Sequence, residues 1–110
     1  MDSLQASDAA AAAFAVAPRV ALADIQNAIA ERHDFNAAQA LQVPAADHPL
    51  NVLSVCILVM SNGFTVIGKS APASPANFDA EFGKKLAYDD CIRQLWPLMG
   101  FSLRDRLAAL

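Results

Sequence analysis

Val52-Leu53-Ser54-Val55-Cys56-Ile57-Leu58-Val59-Met60-Ser61-Asn62-Gly63-Phe64-Thr65-Val66-Ile67-Gly68-Lys69 is the stretch that decides the fold. Residues 52–60 are dominated by β-branched and aliphatic side chains, the composition of a strand covered on both faces. Asn62-Gly63 between two apolar runs is the strongest short-range hairpin signal, because both residues accept positive φ. Phe64 to Lys69 is then the returning strand.

C-terminal to the hairpin, Ser74-Pro75 marks a helix start, with serine as N-cap and proline at the first helical position, where its missing N–H costs nothing. The spacing predicts a helix from Ser74 to about Trp96. Phe78, Phe82 and Leu86 share one face; Tyr88, Cys91, Ile92 and Leu95 occupy another. The polar arc left over, with Asp79 and Asp90, is narrow, so the hairpin is expected on one side and an N-terminal helix or second subunit on the other. Pro97 is expected to end this helix, Gly100 to allow a turn, and Phe101, Leu103 and Leu107 to mark a short terminal helix.

N-terminal to the hairpin, Leu22, Ile25 and Ile29 have helical spacing after Pro18, which predicts a helix over residues 18–33. Residues 36–49, with Pro44 and Pro49, read as a connector holding at most one short helical turn. Residues 1–17 are alanine-rich, forming either a tail or a backward extension of the helix. The expected architecture is α+β: an antiparallel β-hairpin or small sheet packed with an N-terminal helix, a long central helix and a short C-terminal helix. Residues 18–110 form the single compact domain of this reading.

A chain of 110 residues, 55% of them hydrophobic, suits one core rather than two. Net charge −3 and a pI near 5.1 exclude a protein that coats nucleic acid non-specifically. Residues 1–50 carry six acids against Arg19 and Arg32, whereas residues 51–110 carry six cations against five acids, so an anionic ligand is expected to meet the C-terminal half. Cys56 and Cys91 lack zinc, haem or redox spacing and are expected to be reduced core residues. His33 and His48 lack ligand spacing, and no metal or cofactor is expected. Without a basic n-region at its start or an apolar window approaching 18 residues, the chain is expected in the cytosol.

Gly63, Gly68, Lys69 and Ser70 match the phosphate-loop pattern G-x-x-x-x-G-K-S literally. Such a loop needs a helix opening at its Lys-Ser end, so that backbone N–H groups converge on phosphate. Here Phe64 to Ile67 prefer strand, and Pro72 and Pro75 keep a helix from starting at Lys69. The match is therefore rejected, and nucleotide hydrolysis with it. With no convincing nucleophile or acid–base set, the protein is expected not to be an enzyme.

Cys56-Ile57-Leu58, Asn62-Gly63-Phe64-Thr65-Val66, Gly68, Ser70-Ala71, Ser74-Pro75 and Asn77-Phe78-Asp79-Ala80-Glu81 together resemble the gene product 49/66 family of tailed phages and prophages. The resemblance continues through Gly83-Lys84-Lys85, Leu95-Trp96-Pro97-Leu98, Gly100-Phe101 and Leu103-Arg104, with a weaker match over Glu31 to Asn36. Lys69 departs from it, standing where the family has glutamate.

The resemblance implies a phage accessory protein acting in the host cytoplasm. It is similar to anti-defence proteins that sequester the cyclic ADP-ribose-type signals of Thoeris immunity, or cyclic oligonucleotides. Such a sponge binds its cyclic nucleotide without catalysis, as a homo-oligomer (dimer or hexamer) with pockets at subunit boundaries. The ligand-binding candidates are Arg93, Arg104, Phe64, Ser74, Asn77 and Lys84: cations for phosphate, an aromatic ring for a purine, and a helix start with free N–H groups. Arg93 stands out because it projects from a mostly apolar helix and needs Asp89, Asp90 or a ligand phosphate. The alternatives are a host-takeover protein that binds a host protein through its helices, and nucleic-acid binding by the cationic C-terminal half.

Overall fold

Strand β2 (Ser54–Met60) is the centre of the molecule, flanked on one side by β1 (Ile29–Asn36) and on the other by β3 (Thr65–Ser70), both antiparallel to it. The computed structural model describes residues 2–110. Around the sheet stand helices α1 (Ser3–Phe14), α2 (Leu22–Asn27), α3 (Ala37–Ala40) and α4 (Ala80–Ala108), with 3-10 turns at Pro49–Val52 and Pro75–Asn77. The fold is α+β.

Burial along β2 alternates strictly: Ser54, Cys56, Leu58 and Met60 are buried, and Val55, Ile57 and Val59 half-buried. This differs from the expected strand covered on both faces. Only one face has a helix over it, and the other meets solvent. The hairpin also closes differently from the two-residue turn expected from Asn62-Gly63. Gly63 N–H donates to Met60 O at 2.9 Å and Met60 N–H to Phe64 O at 2.8 Å, giving a three-residue loop. Only Gly63 has positive φ, +87°, the glycine position of such loops.

The helix predicted over residues 18–33 is replaced by the six-residue α2 and by β1. The spacing of Leu22 and Ile25 reports α2 correctly, and both are buried. Residues 29–36 instead pair with β2 from Ile29↔Met60 to Asn36↔Ser54. The backbone ladder and the apolar β2 beside it override a pattern with little apolar alternation of its own. The sheet is therefore the small antiparallel sheet of the sequence reading, with β1 added to the hairpin.

Helix α4 opens at Asp79, whose Oδ1 accepts from Phe82 N–H at 2.8 Å; Ser74-Pro75 starts only the 3-10 turn, and Ser74 makes no side-chain capping bond. Pro97 does not end the helix, so the central and terminal helices of the sequence reading are one 29-residue element, about 43 Å long at the usual rise. Pro97 removes one helical donor, leaving Arg93 O without its usual partner. Anchors on both sides hold the axis: Leu95 is buried, Trp96 Nε1 donates to Val20 O at 2.9 Å, and Met99 packs against the core. Gly100 is helical with open space where a Cβ would go. Gly100→Ala is therefore expected to stabilise the protein by about 0.5–1 kcal/mol in urea denaturation, by restricting the unfolded chain.

α4 lies over β2 and β3 at short range. A Cβ on Gly68 would stand 2.1 Å from Ala87 O and 2.9 Å from Cys91 N, so the bare glycine lets helix backbone rest on strand. Gly68, the second glycine of the rejected phosphate-loop match, thus serves packing. The helix also closes the outer edge of β3: Asp90 Oδ2 accepts Lys69 N–H at 3.0 Å, and Gln94 Nε2 donates to Ile67 O at 2.8 Å. Beneath it, Cys56, Leu58, Val66, Ala87, Cys91, Ile92 and Leu95 form the core with Leu22, Ile25 and Leu4. Both cysteines are free and fully buried. Burial pushes the Cys56 thiol up to about 12 and raises Cys91 as well, so neither is a reactive thiolate.

The alanine-rich segment is α1, capped by Asp2 and held through Leu4 in the core. Asp8 ties it to the next segment: its Oδ1 accepts Leu22 N–H at 3.0 Å and Arg19 Nη1 at 2.9 Å. The Leu22 N–H and then Arg19 hold the carboxyl below its ordinary value of 3.8. A depressed folded pKa stabilises above the unfolded value, and that contribution is lost as pH falls through the folded one. The melting temperature should fall below about pH 4, with a shallower fall in Asp8→Asn.

Candidate functional site

Because α4 crosses β2 and β3, the inner face of β1 is left beside the helix instead of under it, and a polar groove runs between the two. The strand alternation sends Arg32, Asp34 and Asn36 to this inner side, opposite Leu58, Cys56 and Ser54. Glu81, Lys84, Lys85 and Tyr88 come from the first turns of α4.

One end of the groove, a cleft of about 330 Å³, is bordered by Asp34, Asn36, Asn51, Ser54, Glu81 and Lys84. It rounds the end of the strand pair, where Phe35 and Phe78 also border it. A second recess of about 260 Å³ shares Glu81 and Lys84 with the first and adds Arg32, Lys85, Tyr88, Asp89 and Asp2.

Most polar groups here are paired. Arg32 Nε donates to Asp34 Oδ2 at 2.9 Å while its guanidinium lies 4.1 Å from the Tyr88 ring centroid, a cation–π contact. Lys85 Nζ sits 2.8 Å from Asp89 Oδ2 and 3.6 Å from Asp2 Oδ2. The hydrogen bond to Asp89 and both negative charges raise the lysine pKa despite desolvation. Burial raises Tyr88. Asn36 Nδ2 donates to Asn51 O at 2.7 Å, and its Oδ1 caps α3 through Gln39 N–H at 3.2 Å. One atom stands apart: Asp34 Oδ1 is buried and accepts no hydrogen bond, alone in this among the buried side-chain polar atoms of the described residues.

The six candidates from sequence do not converge in one protomer. Lys84 lines the cleft, and Ser74 and Asn77 lie in the segment leading into it, both exposed. Arg93 donates through Nη2 to Ser3 Oγ at 2.7 Å rather than pairing with Asp89 or Asp90. Phe64, half exposed, borders a separate apolar recess with Met60, Leu95, Leu98 and Met99. Arg104 is exposed near the far end of α4, twenty residues beyond Lys84, or about 30 Å along the axis.

Arg32, Asp34 and Asn36 escaped sequence reasoning because residues 29–33 were assigned to a helix and residue 36 to a connector. Glu31-Arg32-His33-Asp34-Phe35-Asn36 carries no apolar alternation that marks them, and the three fall on one side only because the segment is extended. The groove lining contains no histidine or cysteine. His33 instead contacts Glu31 Oε1 at 3.0 Å, and His48 Nδ1 accepts Leu50 N–H at 3.1 Å. No group of three metal-ligating side chains comes together among the described residues, and no helix there is long and apolar enough to cross a membrane.

The model of the phage protein (N4 Gp49/phage Sf6 gene 66) family matches residues 20–107, and the chain belongs to that family. No curated protein and no solved structure matches it.

Proposed function

We propose that this member of the N4 Gp49/phage Sf6 gene 66 family is an accessory protein that works by binding rather than catalysis. It sequesters a small signal of the cyclic-nucleotide type, the cyclic ADP-ribose class foremost, in the groove between β1 and α4. As an anti-defence sponge it acts in the host cytoplasm as a homo-oligomer.

The observation that carries this reading is Asp34, which borders the cleft with Lys84 and whose Oδ1 is buried and has no donor. Leaving such an atom unpaired costs about 1–3 kcal/mol, and an exocyclic amine or ribose hydroxyl supplies the missing donor. Arg32, Lys84 and Lys85 offer cations to phosphate, and Phe35, Phe78 and Tyr88 offer faces to a purine. The four carboxylates of Asp2, Asp34, Glu81 and Asp89 outnumber those three cations by one. Such a mixed lining suits a compact ligand bearing both amino and phosphate groups, and it opposes a polyanion such as nucleic acid.

Calorimetric titration of wild type and Asp34→Asn with cyclic ADP-ribose isomers tests the assignment. The variant exchanges a charged acceptor for a neutral amide of the same shape and should bind about 10- to 100-fold more weakly, the range for a charge-assisted hydrogen bond. The ligand should be recovered chemically unchanged. Equal affinity in wild type and variant removes Asp34 from the site, and product accumulation makes the protein an enzyme.

A further inference from the structure

We infer that the uncovered face of the sheet is a contact between two copies of this chain, crossed at about a right angle on a two-fold axis that sets Glu31 of each protomer against Lys69 of its partner. The register defines the face as three rows: Glu31-Val59-Thr65, His33-Ile57-Ile67 and Phe35-Val55-Lys69. Its middle is apolar and unprotected by any helix, with Ile67 61% and Phe35 36% exposed and even the central strand's Val55, Ile57 and Val59 only half-buried. The opposite face of β2 is buried at every position.

The two charges at its corners identify the occupant. Glu31 stands at one corner and Lys69 at the corner diagonally opposite. A two-fold axis lying in the interface along the other diagonal exchanges those corners, so both Glu31–Lys69 pairs form at once. The same operation stacks Ile57 on its own copy and Ile67 on the partner's Val59, keeping apolar groups together. An axis along the strands would instead set Glu31 over Thr65, and one across them would set it over Phe35, leaving both charges unpaired. Lys69 forms no ion pair within the chain among the described residues, whereas Glu31 touches His33 at 3.0 Å. The diagonal axis turns the strands of one copy roughly perpendicular to those of the other, one of the two usual ways sheets pack. A face that is its own charge complement under a two-fold is the signature of an isologous contact.

The inference names the surface of the proposed homo-oligomer; Phe35 and Val55 at one end of this face also border the cleft, whereas Glu31, Lys69 and Ile67, the positions varied in the test, are absent from the groove lining. Sedimentation equilibrium of the full chain at about 100 μM, where a weak dimer of modest area is populated, supplies the test. Wild type should be dimeric. Glu31→Lys and Lys69→Glu should each weaken the dimer at least about tenfold by creating two like-charge contacts, and the double reversal should restore it. Ile67→Lys, at an exposed position, should yield a folded monomer by circular dichroism. A monomeric wild type overturns the proposal, as does a dimer that survives Ile67→Lys. A double reversal no tighter than the single variants overturns the crossed arrangement and points to a different partner on this face.

Discussion

Gly68→Ala is expected to cost about 3 kcal/mol or more, at the upper end of overpacking effects, and to shift the urea midpoint down accordingly. The added methyl group would lie 2.1 Å from Ala87 O, 2.9 Å from Cys91 N and 2.7 Å from Cys91 Sγ. Two of those atoms are helix backbone, which cannot rotate away as a long side chain does. α4 must therefore lift from β3, loosening the Lys69–Asp90 and Ile67–Gln94 bonds along the strand edge. For a domain whose whole stability is about 5–15 kcal/mol, the loss is a large fraction. A midpoint within error of wild type would mean that helix and strand do not approach as described.

Ile92→Ala deletes volume from the same seam instead of adding it. Ile92 is fully buried on α4, and its truncation leaves a space that neighbours on a rigid helix and strand fill poorly. The expected cost is about 2–5 kcal/mol, whereas Ile92→Val, losing one methylene, should cost only about 0.5–1.5 kcal/mol. Equilibrium denaturation separates the two. A small effect for the alanine variant would place Ile92 outside the core.

The hairpin was legible because the apolar run at 52–60 and Asn62-Gly63 are local signals that the tertiary structure does not oppose. β1 was not, because Ala30 to Asn36 has no apolar period and becomes a strand only through its ladder to β2. That omission concealed half of the candidate site, since Arg32, Asp34 and Asn36 share a face only in an extended chain. Lys84, the one sequence candidate that lines the cleft, lies on the helix that was read correctly as a helix. Pro97 misled for a related reason: a proline ends an isolated helix, but Trp96 bonded to Val20 O and Met99 on the core hold this one through it. With α4 unbroken, Arg104 is carried about 30 Å from Lys84, so these two cations meet at one ligand only where two copies of the chain meet.

Asp8 and Gly100 illustrate the smaller terms, one a carboxylate holding α1 to α2, the other a helical glycine with nothing beside it. Neither bears on function. The groove does, and its occupancy is read most directly by thermal shift of the full chain against cyclic ADP-ribose isomers, cyclic di- and trinucleotides and linear nucleotides. At about a thousandfold excess over Kd a ligand adds about 4 kcal/mol of stability, and the account predicts such a rise for a cyclic signal, diminished in Asp34→Asn. An unchanged melting temperature across the whole set would contradict the binding role and leave the groove as a charged margin beside α4.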